Sequence, residues 1–216
     1  ELTSKIGALS TSFTTATVSS GSYNVGYNNK EVTFAGKLNC TSVSKYGSAI
    51  WNLTSTESTA PINIYGGTVR ARNGSGYITT GDITIYSGGT LDGSGYVKNV
   101  TVQKGGVLAA GISATTTGTV TIDGSLTMNA GSTLKIKLRP YTNDKFAISG
   151  SVKFNNDTLQ INNVDRNLKD GDELTLFTGS GTRSGTYILY PSAPADGLVW
   201  DDSELLTGGL VKVKSV

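Results

Sequence analysis

The chain has 216 residues, with 18 basic and 16 acidic side chains that give a formal net charge of +2, and it contains no histidine. This balance, without runs of like charge, argues against nucleic acid as a partner. The lack of histidine excludes Ser-His-Asp and Cys-His nucleophile systems and the usual zinc ligand. The 28 glycines, together with regularly placed Val, Ile and Leu, are typical of an all-β protein rather than a disordered chain.

Residues 1–60 carry the least regular pattern. Short apolar segments predict strands at 13–18, 32–34 and 50–53. These strands are either the early turns of a repeat or an N-terminal cap, and both interpretations stay open. Cys40 is the single cysteine, which excludes an internal disulfide, and its strand-like flanks predict a small buried side chain.

Residues 61–165 contain an internal repeat. The sequence ITIYSGGTL at 83–91 matches VTVQKGGVL at 100–108, so that position 83 corresponds to position 100. INIYGGTV at 62–69 precedes the first copy, and VTIDG at 120–124 follows the second, each at a similar spacing. We therefore predict four turns built on one template, with alternating segments that continue the coil to about Asp165.

Each copy places β-branched residues two apart, so that they share one side of a strand. The paired glycines suit corners that need positive φ or close packing. Together these features predict an all-β fold, a parallel β-helix. The alternative is an antiparallel sandwich, in which Asp-Gly pairs would form hairpin turns. The predicted inward positions are Ile83, Ile85, Val100, Val102, Val120 and Ile122.

The strict repeat ends near Asp165. Apolar segments farther on predict strands separated by turns of hairpin length. A solenoid needs a cap, because its last turn would otherwise expose unpaired backbone groups. We predict one domain over residues 1–216, with irregular turns or a cap at 1–60, regular turns at 61–165 and a β-rich cap at 166–216.

A familiar order of blocks runs through the repeat: GGTLDGSG at 88–95, VTVQKGGVLAAG at 100–111, GTVTIDGSLTMNAGSTL at 118–134 and DKFAISG at 144–150. In order and composition this region resembles the passenger stalk of autotransporter-type adhesins and related autotransporter-associated β-strand repeat proteins. The resemblance implies a right-handed β-helix carried outside the cell, without catalytic residues of its own. One departure is Ala110, where the family often has Pro before the glycine matched by Gly111.

The sequence GLVWDDSELLTGGLVKV at 197–213 looks like the ending of repeat-bearing surface and polysaccharide-degrading proteins of Bacteroidetes. In those proteins such an ending usually precedes a sorting segment. The resemblance implies an exported protein, in agreement with the repeat region.

The sequence predicts no catalytic residue, no cofactor and no metal site. A polysaccharide lyase would need an acidic Ca²⁺ cluster beside a basic proton acceptor. Arg70 and Arg72 share one side of a strand, with Asp82 and Asp92 the nearest acids. The acids adjoin glycines as turn residues do, and the arginines are more simply a solvated face. Further Asp pairs at 170 and 172 and at 201 and 202 match no EF-hand loop and suit turns better.

Tyrosines are the remaining candidates for binding. Tyr65 and Tyr86 hold the same place in two copies, beside the Gly-Gly corner. With Tyr96 they would form an exposed ladder suited to stacking on sugars. The alternative is that these rings shield the corners.

These observations lead to the hypothesis of a non-catalytic structural or adhesive β-helix of an exported bacterial surface protein. We expect it to be secreted or displayed outside the outer membrane of a Gram-negative bacterium, facing a host or environmental glycan or a cell-surface protein, without nucleic acid or membrane insertion. The alternative is an accessory C-terminal, carbohydrate-facing module of a polysaccharide-degrading enzyme with its catalytic part elsewhere, and the third is a lyase. Because the chain begins at Glu1 without Met, we expect a mature form or a segment of a longer protein.

Overall fold

The structure, a computed structural model, describes residues 4–12, 16–72, 74 and 76–216. The strand predicted at 13–18 lies partly outside the described residues, and its end forms β2. The strands predicted at 32–34 and 50–53 are confirmed as β4 and β7. The elements are, in chain order, β1 (Ser4–Ile6), β2 (Thr17–Ser19), β3 (Ser22–Val25), β4 (Val32–Phe34), β5 (Lys37–Asn39), β6 (Ser42–Lys45), β7 (Ile50–Leu53), β8 (Ile62–Ile64), β9 (Gly67–Ala71), β10 (Ile83–Ile85), β11 (Gly89–Gly93), β12 (Tyr96–Val97), β13 (Val100–Val102), β14 (Val107–Ala109), β15 (Thr119–Ile122), β16 (Leu126–Met128), β17 (Thr133–Arg139), β18 (Thr142–Asn143), β19 (Lys145–Ile148), β20 (Val152–Asn163), β21 (Glu173–Thr175), β22 (Phe177–Thr178), β23 (Arg183–Tyr190), β24 (Leu198–Asp201), α1 (Leu205–Gly208) and β25 (Leu210–Ser215).

The fold is all-β and is dominated by a 16-stranded sheet. Its strands follow one ladder in the order β1-β3-β6-β8-β10-β13-β16-β20 and a second in the order β20-β17-β14-β11-β9-β7-β4. The 12-residue strand β20 belongs to both ladders. A second, four-stranded sheet has the order β12-β15-β19-β22. Neighbouring strands in both sheets are parallel, apart from the short β17–β18 hairpin. This pairing does not fit the antiparallel sandwich.

The first ladder stacks like residues in register. From β8 to β20 its two inward positions pair from strand to strand, and every one of these side chains is at most 1% exposed. The prediction that Ile83 and Val100 occupy equivalent places is therefore confirmed. The two rows are Ile62, Ile83, Val100, Leu126 and Val152, and Ile64, Ile85, Val102, Met128 and Phe154.

The placement predicted for the fourth copy is wrong. Val100 pairs with Leu126 rather than with Val120. Val120 and Ile122 lie in β15, in the four-stranded sheet. The reason is that residues 110–118, between β14 and β15, lengthen this turn, so the spacing of the earlier copies no longer marks equivalent positions. Val120 and Ile122 are nevertheless buried, as predicted.

The glycine corners serve both expected purposes. Gly105 and Gly131 follow the first ladder in consecutive turns with φ of 76° and 75°, a region that residues with a Cβ resist. A Cβ on Gly106 would lie 2.6 Å from the carbonyl oxygen of Ile85 in the preceding turn. A side chain there would push neighbouring turns apart.

The described part of residues 1–60 contributes to the same sheet. Strand β3 pairs with β6, which pairs with β8 of the regular repeat. Cys40 is a buried free thiol, as predicted, and burial raises the pKa of that thiol.

The C-terminal region, residues 166–216, continues the parallel sheets and adds an antiparallel sheet. Strand β23 pairs along β20, and Phe177 in β22 pairs with Phe146. Strands β21, β25 and β24 form a separate three-stranded antiparallel sheet, which buries Leu174 and Val211. Over the ranges that the structure describes, no helix has the length and apolar character required to cross a membrane.

Candidate functional site

Four tyrosines stack along the corner that follows the first ladder. Ring centroids are 5.2 Å apart for Tyr27 and Tyr46, 5.1 Å for Tyr46 and Tyr65, and 4.4 Å for Tyr65 and Tyr86. The interplanar angles are 20°, 11° and 12°. The spacing follows from the sheet, because the last three rings come directly after residues that pair in register. We refer to these four residues as the tyrosine stack.

The stacking uses the ring faces that a sugar would need. Tyr46 and Tyr65 each have a neighbouring ring on both faces, and Tyr65, at 38% exposure, offers solvent its edge and hydroxyl. A pyranose packs through its C–H groups onto a ring face, the electron-rich side of the π system. The geometry therefore favours corner shielding over sugar stacking for the two inner rings.

Amide side chains continue the same corner beyond the tyrosines. Gln103 takes the place after Tyr86, and Asn129 donates to its side-chain oxygen at 3.0 Å. Asn155 in the following turn donates to the backbone oxygen of Met128 at 3.1 Å. These bonds join neighbouring turns, so this corner stabilises the sheet along its length.

Tyr96 lies away from the tyrosine stack. It belongs to β12 of the four-stranded sheet and packs edge-to-face on Tyr77, with centroids 6.3 Å apart and an interplanar angle of 78°. The structure thus brings Tyr65 and Tyr86 together but not Tyr96. An edge-to-face pair leaves both faces of one of its rings uncovered by the partner, whereas a stacked pair covers one face of each ring.

Tyr77 and Tyr96 border an open groove of about 290 Å³ on the outer face of this sheet. The register explains the groove: Tyr77 lies opposite Tyr96, then come Thr121 and Ala147. Two bulky side chains are followed by two small ones, and the small side chains leave a depression in the surface of the sheet. Ser149 and Ser180 line the far side. We refer to this surface as the Tyr96 groove.

A single carboxylate is fixed at the side of the Tyr96 groove. Asp123 accepts hydrogen bonds from the hydroxyl of Tyr77 and, at 2.8 Å, from that of Ser149. Lys98 pairs with the same carboxylate at 3.2 Å. The Tyr77 hydroxyl, followed by Ser149 and Lys98, lowers the pKa of Asp123 to about 2. The same bond to Asp123 raises the pKa of Tyr77, so Asp123 stays ionised and Tyr77 stays protonated at neutral pH.

Lys98 balances this charge. Its ammonium lies 5.7 Å from the ring centroid of Tyr77, within the range of a cation–π contact. Tyr77 is thereby held between a cation and a carboxylate, and the Tyr96 groove has a fixed, locally neutral pair of charges beside its small-residue floor.

Of the four residues considered for a lyase, only Arg70 and Asp92 bind each other. Asp82 accepts a hydrogen bond from Asn99 at 2.8 Å, and Arg72 is exposed. Arg70 binds Asp92 through two bonds, Nε to Oδ1 at 2.8 Å and Nη2 to Oδ2 at 2.7 Å. These bonds raise the pKa of Arg70, which keeps the guanidinium protonated and unable to accept a proton. The pair lines a groove of about 320 Å³ with Lys137, whose ammonium is 2.8 Å from the buried carboxylate of Asp144.

The acidic pairs considered for Ca²⁺ behave as turn residues. Asp172 accepts a bond from the backbone N–H of Lys169 at 3.0 Å, and Asp170 one from that of Ser215 at 2.7 Å. Asp201 pairs with Lys214 at 2.6 Å. In the part of the chain that the structure describes, no three His, Cys, Asp or Glu side chains gather into a metal-binding group.

Sequence reasoning missed Tyr77 and Asp123 as site residues. The signal for Tyr77 was present, because Tyr96 follows it in the sequence by a spacing close to one turn of the repeat. Asp123 gave no such signal: it stood in an Asp-Gly pair, the usual mark of a turn, and its bond to Tyr77 spans 46 residues.

No protein-family model matches this chain, and no curated protein matches it either.

Proposed function

We propose that the chain is a right-handed parallel β-helix that serves as a rigid, non-catalytic stalk or adhesin scaffold in an exported bacterial surface protein. The observation that carries the proposal is the first ladder, in which Ile62, Ile83, Val100, Leu126 and Val152 pair in register over five consecutive turns. Such pairing needs a chain that coils back over itself at nearly constant rise.

The ladder also supports a mechanical role. With β23 it contains nine parallel strands, and a spacing of about 4.8 Å gives a length of about 40 Å. Every turn is joined to the next by backbone hydrogen bonds, the tyrosine stack or the amide corner. Bending would have to break many of these contacts together, so the segment suits a spacer that holds another group away from a surface.

Export is supported by the resemblance of residues 83–161 to autotransporter-type stalks and of 197–213 to Bacteroidetes surface-protein endings. A side-chain inventory without histidine and with Arg70 held in an ion pair suits a scaffold better than a catalyst.

Two measurements test the proposal. Spin labels at Asn24 and Lys153, equivalent positions six strands apart in the first ladder, should lie about 29 Å apart at about 4.8 Å per strand, and a markedly different distance would overturn the β-helix. Antibody against the chain should label intact source cells, and external protease should remove that label while a cytoplasmic marker persists. Labelling only after lysis would refute the surface role.

A second candidate function is an accessory, carbohydrate-facing module of a polysaccharide-degrading enzyme. The observation that favours it is the Tyr96 groove, which places two aromatic rings and an ionised carboxylate around an open floor. Retention of the chain on columns of insoluble neutral polysaccharide, with elution by the soluble oligosaccharide, tests this role. Passage at the rate of a non-binding protein would count against it.

A further inference from the structure

We propose that the Tyr96 groove binds one pyranose residue of an uncharged oligosaccharide, with Tyr96 as its wall, Thr121 and Ala147 as its floor and Asp123 as its hydrogen-bond acceptor. The inference goes beyond the stalk role and deepens the second candidate function, on which it rests. The stalk role stands whichever way the groove behaves.

The shape of the groove limits the ligand to something flat and small. Its volume of about 290 Å³ is slightly below the range of pockets that bind drug-sized molecules, which begins at about 300 Å³. The floor is a sheet surface formed by Thr121 and Ala147 on neighbouring strands together with Gly179, and it runs from the tyrosines to Ser180. A single six-membered ring can stand on such a floor with the C–H groups of one face packed against the ring of Tyr96.

The hydrogen-bonding capacity of Asp123 shows where the ligand would be held. An ionised carboxylate offers about four acceptor sites. On Asp123, Oδ2 receives Tyr77 and Lys98, and Oδ1 receives Ser149. The remaining site is therefore on Oδ1, the oxygen that faces Ser149 and hence the groove. A hydroxyl group of a sugar is a donor that suits it, and a bond to an ionised acceptor is stronger than one between neutral groups.

Charge excludes acidic ligands. Lys98 already pairs with Asp123, so a second carboxylate or a phosphate placed on Oδ1 would meet the negative charge of Asp123, and an ionised oxygen has no proton to donate to it. A neutral pyranose adds donors and no charge. The neighbouring hydroxyls of Ser149 and Ser180 can serve either as donors or as acceptors for further hydroxyl groups of the sugar.

Nitrogen-15 NMR titration of the whole chain tests the inference. The probes are the hexamers of β-1,4-glucose, β-1,4-mannose, β-1,4-N-acetylglucosamine and α-1,4-glucose, with hexagalacturonate as the acidic comparison. We expect at least one neutral hexamer to shift the amide signals of Thr121, Ala147 and Ser149 in a saturable manner, and hexagalacturonate to leave them unchanged.

Three variants locate the site. Asp123→Asn should weaken binding at least about tenfold, because a bond to an ionised acceptor is lost. Ala147→Trp should abolish binding by filling the floor, and its outward position keeps the core unchanged. Tyr86→Ala, in the tyrosine stack, is the matched control and should leave the affinity unchanged.

Several results would overturn the inference. They are the absence of shifts with all four neutral hexamers, shifts with hexagalacturonate alone, and shifts that persist in Ala147→Trp. Retention on an insoluble polysaccharide without shifts of the groove amide signals would refute binding at the Tyr96 groove. The second candidate function would then remain, with its contact surface elsewhere on the chain.

Discussion

Ser132 and Asp157 occupy the same corner in consecutive turns, where earlier turns have the second glycine of a pair. The backbone N–H after Asp157 donates to the carbonyl oxygen of Ser132 at 2.9 Å, and both residues are fully buried. The Ser132 hydroxyl and both Asp157 carboxylate oxygens have no hydrogen-bond partner among the described residues. Burial accordingly raises the pKa of Asp157 from 3.8 to about 6.

This raised pKa predicts a stability that falls with pH. The folded state favours the protonated acid, so the contribution of Asp157 is fully present below pH 3.8 and is lost as pH rises through about 6. Two pKa units correspond to about 3 kcal/mol. In Asp157→Asn the free energy of unfolding, relative to the parent, should therefore rise by about 3 kcal/mol between pH 3.5 and pH 8.

Chemical denaturation of the two chains across this range measures the difference. Asp196→Asn, at an exposed position, is the control and should track the parent at every pH. A constant difference between Asp157→Asn and the parent would show that Asp157 is ionised or hydrogen-bonded in the folded chain.

Lys45 should show the opposite trend. Its side chain is 1% exposed and donates to the carbonyl oxygens of Tyr46 and, at 3.2 Å, Gly66. Burial lowers the pKa of its ammonium from 10.5 to about 8. The contribution of Lys45 to stability is therefore present above pH 10.5 and is lost as pH falls through 8.

Lys45→Met should accordingly be more stable than the parent at pH 7. Removal of the buried charge stabilises the folded state and loss of the two hydrogen bonds to carbonyl oxygens destabilises it, which leaves a net gain of about 2 kcal/mol. The advantage should disappear by pH 10.5. Denaturant titration at the two pH values provides the test, with the exposed Lys169→Met as control. A variant that is less stable than the parent at pH 7 would contradict the prediction.

The inward register predicts a contrast within one strand. Val102 is 0% exposed and lies between Ile85 and Met128, so Val102→Asp would bury a charge without a partner. We expect a loss of about 4 kcal/mol or more. Thr101→Asp, on the outer face of the same strand, should cost less than about 1 kcal/mol. Thermal unfolding compares the two, and similar melting temperatures would mean that the register is wrong.

The tyrosine stack predicts an energetic coupling between neighbours. Tyr65 and Tyr86 are stacked at 4.4 Å, and an aromatic pair contributes about 0.5–1.5 kcal/mol beyond its buried area. A double-mutant cycle of Tyr65→Ala and Tyr86→Ala should return a coupling energy in that range. The same cycle with Tyr65 and Tyr187, which are not in contact, is the control. Additive effects in the first cycle would refute a stabilising role of the stack.

Much of the fold could be predicted because short-range spacing determines it where the turns are equal. The inward positions of Ile83 and Val100 follow from the alternation of apolar and polar residues and from the match between their two segments. The glycines mark corners because only glycine readily adopts the positive φ that such corners need. The placement of Val120 failed because a loop on one face lengthens a turn without leaving a trace in the strand pattern. Asp123 could not be found because its partners lie in three segments far apart in the sequence, and only the pairing of distant parallel strands brings them together.

The last prediction concerns the C-terminal region. Truncation after Asp165 removes β21 to β25, including β23, which pairs along β20 from Val152 to Gln160. It also removes Phe177, whose ring lies 5.7 Å from that of Phe154 and 6.2 Å from that of Phe146. The truncated chain would present a long open strand edge and an uncovered apolar end, and such edges add strands from other chains.

We therefore expect the truncated chain to form aggregates or head-to-tail oligomers while its β-rich circular dichroism is largely kept. Light scattering coupled to size-exclusion chromatography measures the association. Adding Thr158→Lys and Gln160→Lys, two outward positions of the exposed strand, should restore monomers, because charge on an edge opposes strand addition. A truncated chain that stays monomeric at high concentration without these lysines would show that the tail is a separate domain, and the single domain over residues 1–216 would have to be divided near Asn167.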